Sequence, residues 1–225
     1  MVRSLLDQEI RQLREELLQM GSLVEVAIDR AVTALKNRDA ALAQTVVDGD
    51  EEVNRLRHEI EELCIETIAT QQPMAIDLRM IFAITHIAVE LERMGDHAAG
   101  IAKLVLRIAD QPLLKPLIDI PLMARTDREM IAGALDAFVR QDADLARQVA
   151  KRDDEVDQLY QQVFRELLTY MMEDPRNITR ATYLLWAAHV LERIGDRATN
   201  ICERVIFIVT GEFSEFRSEH VAGAG

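Results

Sequence analysis

Apolar residues recur every third or fourth position along most of this chain. Between about residues 4 and 36 they fall at Leu13, Leu17, Met20, Val24, Ala27, Ala31 and Leu35. That spacing predicts one long helix with a single buried stripe. Asn37-Arg38-Asp39 interrupts it, and Asp39 is placed to cap the next helix. A second helix is predicted to about Gln71, with Leu42, Val46, Val53, Leu56, Ile60, Leu63 and Thr67 on its stripe. Gly49 lies inside it and marks a site for a kink or break. Pro73 marks the next boundary, because proline suits the first turn of a helix. The third helix carries Ile84, Ile87, Ala88, Leu91, Ala98, Ile101 and Val105. Pro112, Pro116 and Pro121 then fall within ten residues, the best linker candidate in the chain. Thr126-x-x-Glu129 has the form of a capping box.

After the linker the pattern repeats. Asp39 with Ala40-Ala41-Leu42-Ala43 returns as Asp142 with Ala143-Asp144-Leu145-Ala146. Asp50-Glu51-Glu52-Val53-Asn54 returns as Asp153-Asp154-Glu155-Val156-Asp157, and Pro73 as Pro175, before which Asp174 offers a cap. Leu91-Glu92-Arg93-Met94-Gly95-Asp96-His97-Ala98 returns one hundred residues later as Leu191-Glu192-Arg193-Ile194-Gly195-Asp196-Arg197-Ala198, with six of eight positions identical. The chain therefore reads as all-α, two tandem similar three-helix bundles made by internal duplication. Residues 1–111 form the first bundle and residues 112–211 the second. Residues 212–225 lose the periodicity and read as a mobile tail.

Composition narrows the function. Only 4% of residues are aromatic and only nine are glycine, which favours long helices over a sheet. The net charge of -13 argues against a nucleic-acid groove or an anionic membrane surface. It suits cations or a basic partner. No apolar run approaches a membrane span, and the charged amphipathic start predicts no signal peptide. Cys64 and Cys202 stand singly in apolar patterns and read as buried thiols in a cytosolic protein.

The candidate chemistry is acidic. Glu92 with Asp96, and Glu192 with Asp196, stand one helical turn apart on one face. Asp50 with Asn54, and Asp153 with Asp157, do the same on the preceding helix. If the two helices are neighbours, the side chains converge as in carboxylate metal sites of helical bundles. An all-oxygen set prefers hard or borderline cations such as Mg, Mn or Fe. Carboxylates four apart are also commonly solvated or paired with arginine, and Arg93, Arg193 and Arg197 adjoin them. Like charges this close need an offset, and both an arginine and a bound cation supply one. Gly95 and Gly195 signal close approach of another helix or of a ligand. His189, three residues before Glu192, can join a site or pack as an ordinary histidine. No Glu-x-x-His pair, Ser-His-Asp set or Gly-rich phosphate loop is present.

These residues resemble the PhoU family, accessory regulators of the phosphate-specific transport system. The likeness rests on Gln72-Pro73 with Asp77-Leu78-Arg79, Glu90-Leu91-Glu92-Arg93-Met94-Gly95-Asp96, Tyr170-Met171-Met172-Glu173-Asp174, and Glu192 to Arg197 continuing through Asn200-Ile201-Cys202-Glu203. It spans about residues 1–211. The resemblance implies two similar three-helix bundles, a cytoplasmic location beside the transporter, and negative regulation of phosphate-starvation genes. It implies no enzyme activity. The implied partners are the ATPase subunit of the phosphate ABC transporter and a sensor histidine kinase, with the membrane reached only through them and no nucleic acid bound. A homodimer fits long amphipathic helices. The implied metal residues are Asp50, Asn54, Glu92 and Asp96, then Asp153, Asp157, Glu192, Asp196 and Asn200. The expected ions are divalent or trivalent, Mg, Mn, Fe or Zn. Gly100 departs from the pattern, offering no side chain where Asn200 stands. Two other functions compete: a metal-dependent enzyme acting on a phosphorylated substrate, and a purely structural bundle. By ligand count the first cluster carries one negative charge less, which predicts tighter metal binding at the second.

Overall fold

The first apolar stripe folds into α1 (Val2–Asn37), and Leu13, Leu17, Met20, Val24 and Ala31 along it are fully buried. The computed structural model describes residues 2–212 and residue 216. Asp39 caps α2 (Ala40–Gln71) by accepting from the Leu42 N–H at 2.9 Å. Pro73 lies in the connection to α3 (Ile76–Ile108). The second unit begins with α4 (Asp119–Arg140). Pro121 sits in its first turn, where a missing N–H costs nothing, so only Pro112 and Pro116 belong to the connection. The capping box at Thr126 and Glu129 does not exist. Thr126 is buried within α4, and Glu129 accepts instead from Arg152 at 2.7 Å.

The break that Gly49 marks does not occur there, because α2 runs through it unbroken. It occurs at the equivalent place in the second copy, between α5 (Ala143–Ala150) and α6 (Asp153–Glu173). There the Arg152 N–H bonds to Val149 O and the Glu155 N–H to Arg152 O, a local tightening to three-residue spacing. Asp142 caps α5, and Asp174 caps the short 3₁₀ turn Pro175–Asn177 that leads into α7 (Ile178–Thr210). The tail expected over 212–225 lies largely outside the described residues. Within it the Phe216 N–H donates to Glu203 Oε1 at 2.8 Å. No described residue is in a strand.

Helices α1, α2 and α3 pack on one another, as do α4, α5–α6 and α7. The two bundles share one continuous apolar core, because α1 packs on α4 and α3 on α7. Both crossings are antiparallel. On α1 and α4, a Cβ on Gly21 would meet Leu135, and Asp29 pairs with Arg128. On α3 and α7, the Phe82 ring lies 6.2 Å from Phe207, Glu90 bonds Arg197, and Gly100 faces Trp186. Residue numbers rise on one helix as they fall on the other, so the copies are related by an approximate two-fold axis. Cys64 and Cys202 are buried, and burial pushes their thiols up to about 11 and about 12, which keeps them protonated.

Position 97 meets its own copy, position 197, near that axis: Arg197 Nε donates to His97 Nε2 at 3.3 Å. Two arginines there would repel. One histidine that stays neutral lets the other copy keep its arginine, which also donates to Glu90 at 2.9 Å. Burial, followed by the charges of Arg197, Arg193 and other neighbours, lowers the His97 pKa from 6.5 to about 4. At this position, where the octapeptide differs, the two copies meet as acceptor and donor.

Two outcomes follow for this contact. Arg197→Ala leaves Glu90 largely buried without its partner, and we expect a loss of about 2 kcal/mol in urea unfolding. The folded His97 stays neutral where the unfolded one takes a proton, so its contribution to stability is complete above pH 6.5 and is lost as pH falls toward 4. His97→Asn should flatten that part of the pH–stability curve. An unchanged acid limb would refute the assignment.

Candidate metal centre

The acidic residues of each unit come from helices that do pack together, α2 with α3 and α6 with α7. In the first unit, Asp50 and Asn54 on α2 face Glu92 and Asp96 on α3. Gly95 is where the helices come close: a Cβ there would stand 3.2 Å from Val53 Cγ1 and 3.5 Å from Asp50 Oδ1. In the second unit the acid itself takes that space. A Cβ on Gly195 would stand 2.6 Å from Asp153 Oδ1 and 3.4 Å from Asp127 Oδ1. Both glycines therefore serve close helix approach, and Gly195 also cradles two carboxylate oxygens.

Asp127 is absent from the motifs. It projects from α4, is fully buried, and has no hydrogen-bond partner on either oxygen. Its sequence signal is an aspartate on an apolar stripe, between Met123 and Ile131. The second cluster thus grades in depth, from buried Asp127 and Asp157 through partly buried Asp153 and Glu192 to exposed Asp196.

The two clusters offset their charge differently. In the first, Asn54 Nδ2 donates to Asp50 Oδ2 at 3.4 Å, and Arg57 Nη1 approaches Glu92 Oε1 to 4.0 Å. Burial, then Asp96, raises the Asp50 pKa, and Lys103 and Asn54 pull it back. Burial and Asp96 raise that of Glu92 against Arg57 and Arg93. In the second, burial followed by Asp157, Asp196, Glu192 and Asp154 raises Asp153 to about 7, with nothing opposing. Glu192 rises to about 7 through burial, Asp196 and Asp157, opposed by Arg193. Burial, then Asp153 and Glu192, raises Asp127 well above the ordinary range. His189 does not pack as a core histidine. Its side chain is about half exposed, with Nδ1 3.4 Å from Glu192 Oε2, a distance without hydrogen-bond geometry.

The remaining predicted residues separate. Asn200 lies partly buried one turn beyond Asp196. Its counterpart Gly100 has a packing reason: a Cβ there would stand 3.2 Å from the Trp186 ring. Arginine thus answers part of the charge in the first unit. The second unit holds an unpartnered buried acid and a glycine cradle, and both fit a cation. Among the described residues, no three His, Cys, Asp or Glu side chains converge on one point at ligating distance.

A family model described as the PhoU domain matches residues 17–105 and again residues 120–205. The chain belongs to the PhoU family. It is 44% identical over 204 residues to a phosphate-specific transport system accessory protein PhoU homolog of Pseudomonas putida, covering 90% of this chain and 80% of that one. It is 40% identical over 215 residues to phosphate-specific transport system accessory protein PhoU of Escherichia coli K12, covering 96% and 88%. The crystal structure of PhoU from Pseudomonas aeruginosa matches with a TM-score of 0.87 at 42% identity, over 92% of this chain and 99% of that one. The phosphate transport system regulatory protein PhoU of Streptococcus pneumoniae matches equally well, TM-score 0.87 at 33% identity, over 94% and 100%. The family is accessory and regulatory, not enzymatic. No described helix is long and apolar enough to cross a membrane.

The raised pKa values of Asp153 and Glu192 carry a sign. Folded pKa values near 7 lie above the ordinary 3.8 and 4.5 of the unfolded chain. Their contribution to stability is full below about pH 4 and is lost as pH rises through 7 in chelator-treated protein. We expect Glu192→Gln to gain stability relative to wild type between pH 4 and 8 in EDTA. A difference in urea midpoints that does not vary with pH would refute the shift.

Proposed function

We propose that this chain is a negative regulator of phosphate uptake and phosphate-starvation signalling. It acts as a cytoplasmic helical adaptor between the ATPase subunit of a phosphate ABC transporter and a sensor histidine kinase, with metal held at its acidic clusters. The observation that carries this reading is 40–44% identity, over nearly the whole chain, to accessory proteins of phosphate-specific transport. The charge of -13 fits docking on basic partner surfaces. Exposed apolar side chains stand at equivalent ends of the two units, Met74, Leu78 and Phe82 in one and Met172, Ile178 and Trp186 in the other. Patches of that kind suit partner contacts.

Asp50, Asn54, Glu92 and Asp96 would hold metal in the first unit, and Asp153, Asp157, Glu192 and Asp196 in the second, with Asn200 beside them. A bound cation supplies positive charge that offsets carboxylate repulsion and links the two helices of each cluster. The residues themselves do the rest. Glycine lets the helices approach, the apolar stripes fix the register, and the carboxylates are held at one turn's spacing. The two buried oxygens of Asp127, without a hydrogen-bond partner, speak against the purely structural reading, since burial without a partner costs free energy.

Deleting the gene should raise alkaline phosphatase in phosphate-rich medium, and the chain supplied in trans should restore repression. Unchanged repression in the deletion strain would sink the proposal. For the metal, calorimetric titration with Mn²⁺ should show a tighter event removed by Glu192→Gln and a weaker one removed by Glu92→Gln. The opposite order would show that ligand charge does not set affinity here.

A further inference from the structure

Asp127 stands fifteen residues before the cap Asp142, and Val24 stands fifteen residues before the cap Asp39. Both caps close the same loop, with the Asp39 N–H bonded to Ala34 O and the Asp142 N–H to Ala137 O, each at 2.9 Å. The two positions are therefore equivalent, and both are fully buried. The first unit fills this place with an apolar side chain, and the second places a carboxylate there.

A buried carboxylate without a partner is one of the costlier things a helix interior can hold. Protonation removes the charge but not the problem, because neither oxygen of Asp127 has a hydrogen-bond partner. Its Oδ1 shares the space over Gly195 with Oδ1 of Asp153, the first residue of α6. Glu192 Oε2 on α7 also has no hydrogen-bond partner, with His189 Nδ1 3.4 Å away. Three helices thus aim acid at one interior region, and two of them leave oxygens without a hydrogen bond.

We propose that Asp127 is a cation ligand, an inner carboxylate that closes the second cluster from α4 with oxygens neither repeated motif supplies. The proposal rests on the metal reading above and extends it. The site takes a hard, oxygen-preferring cation and spans three helices, where the first cluster spans two. The asymmetry between the units is then larger than the motifs imply. The second offers five carboxylates, Asp127, Asp153, Asp157, Glu192 and Asp196, against Asp50, Glu92 and Asp96 in the first.

The experiment is calorimetric titration of the full chain with Mn²⁺, paired with thermal unfolding in EDTA and in saturating Mn²⁺. The variants are Asp127→Asn, which keeps shape, and Asp127→Val, which copies the first unit. Both should fold, and both should be more stable than wild type in EDTA. Both should weaken the tighter Mn²⁺ event by roughly 10- to 100-fold, leave the weaker event unchanged, and lose most of the Mn²⁺-induced rise in Tm. If both variants raise Tm equally with and without Mn²⁺ and keep wild-type affinity, Asp127 is a buried acid with no ligand role. If Glu192→Gln weakens the tighter event and neither Asp127 variant does, this proposal fails while the metal reading stands. If wild type binds no Mn²⁺, both fall.

Discussion

Helices α3 and α7 are the constraint on which the rest of this structure depends. Each packs against the other helices of its own unit and against its twin. A helix covered on that many sides must be apolar or small around most of its circumference, and the long buried sets of both helices satisfy this. Glycine appears where a neighbour crowds the backbone, tightly at Gly95 and Gly100 and most closely at Gly195. Charge on the strip facing α2 or α6 and at the crossing with the twin helix occupies part of what remains.

The crossing shows how duplication limits sequence. Residues near an approximate two-fold axis meet their own copies, so a charge that is harmless elsewhere repels itself there. His97 and Arg197 resolve this by differing, one neutral acceptor and one cation shared with Glu90. Six other positions of the octapeptide are identical in the two copies.

The strip facing α2 or α6 has been resolved in two ways. The first unit uses an asparagine and the nearby Arg57 and Lys103, and has the buried, apolar Val24 at the position equivalent to Asp127. The second replaces the asparagine with Asp157 and the valine with Asp127, and raises Asp153 and Glu192 to near neutral pH. Groups with shifts of that size concentrate at functional sites. The second unit carries more of this chemistry, and the first more of the structural compensation.

The stripes, both cap aspartates, the proline boundaries and the repeat were legible in the sequence, because helix period and capping are local properties. So were the acidic residues and their spacing. The position of the break in the second copy was not: it falls at Arg152, which pairs with Glu129 on another helix, while α2 runs unbroken through the equivalent Gly49. The false cap at Thr126 arose because a four-residue pattern carries no information on burial. Asp127 was visible as a charge on an apolar stripe, but only packing reveals that this stripe points toward Asp153 and Glu192. The sequence by itself determined helices, duplication and the identity of the acids, all set by neighbours three or four residues away. Tertiary structure alone decided which acids share a space and which cations reach them, since both depend on how distant helices cross.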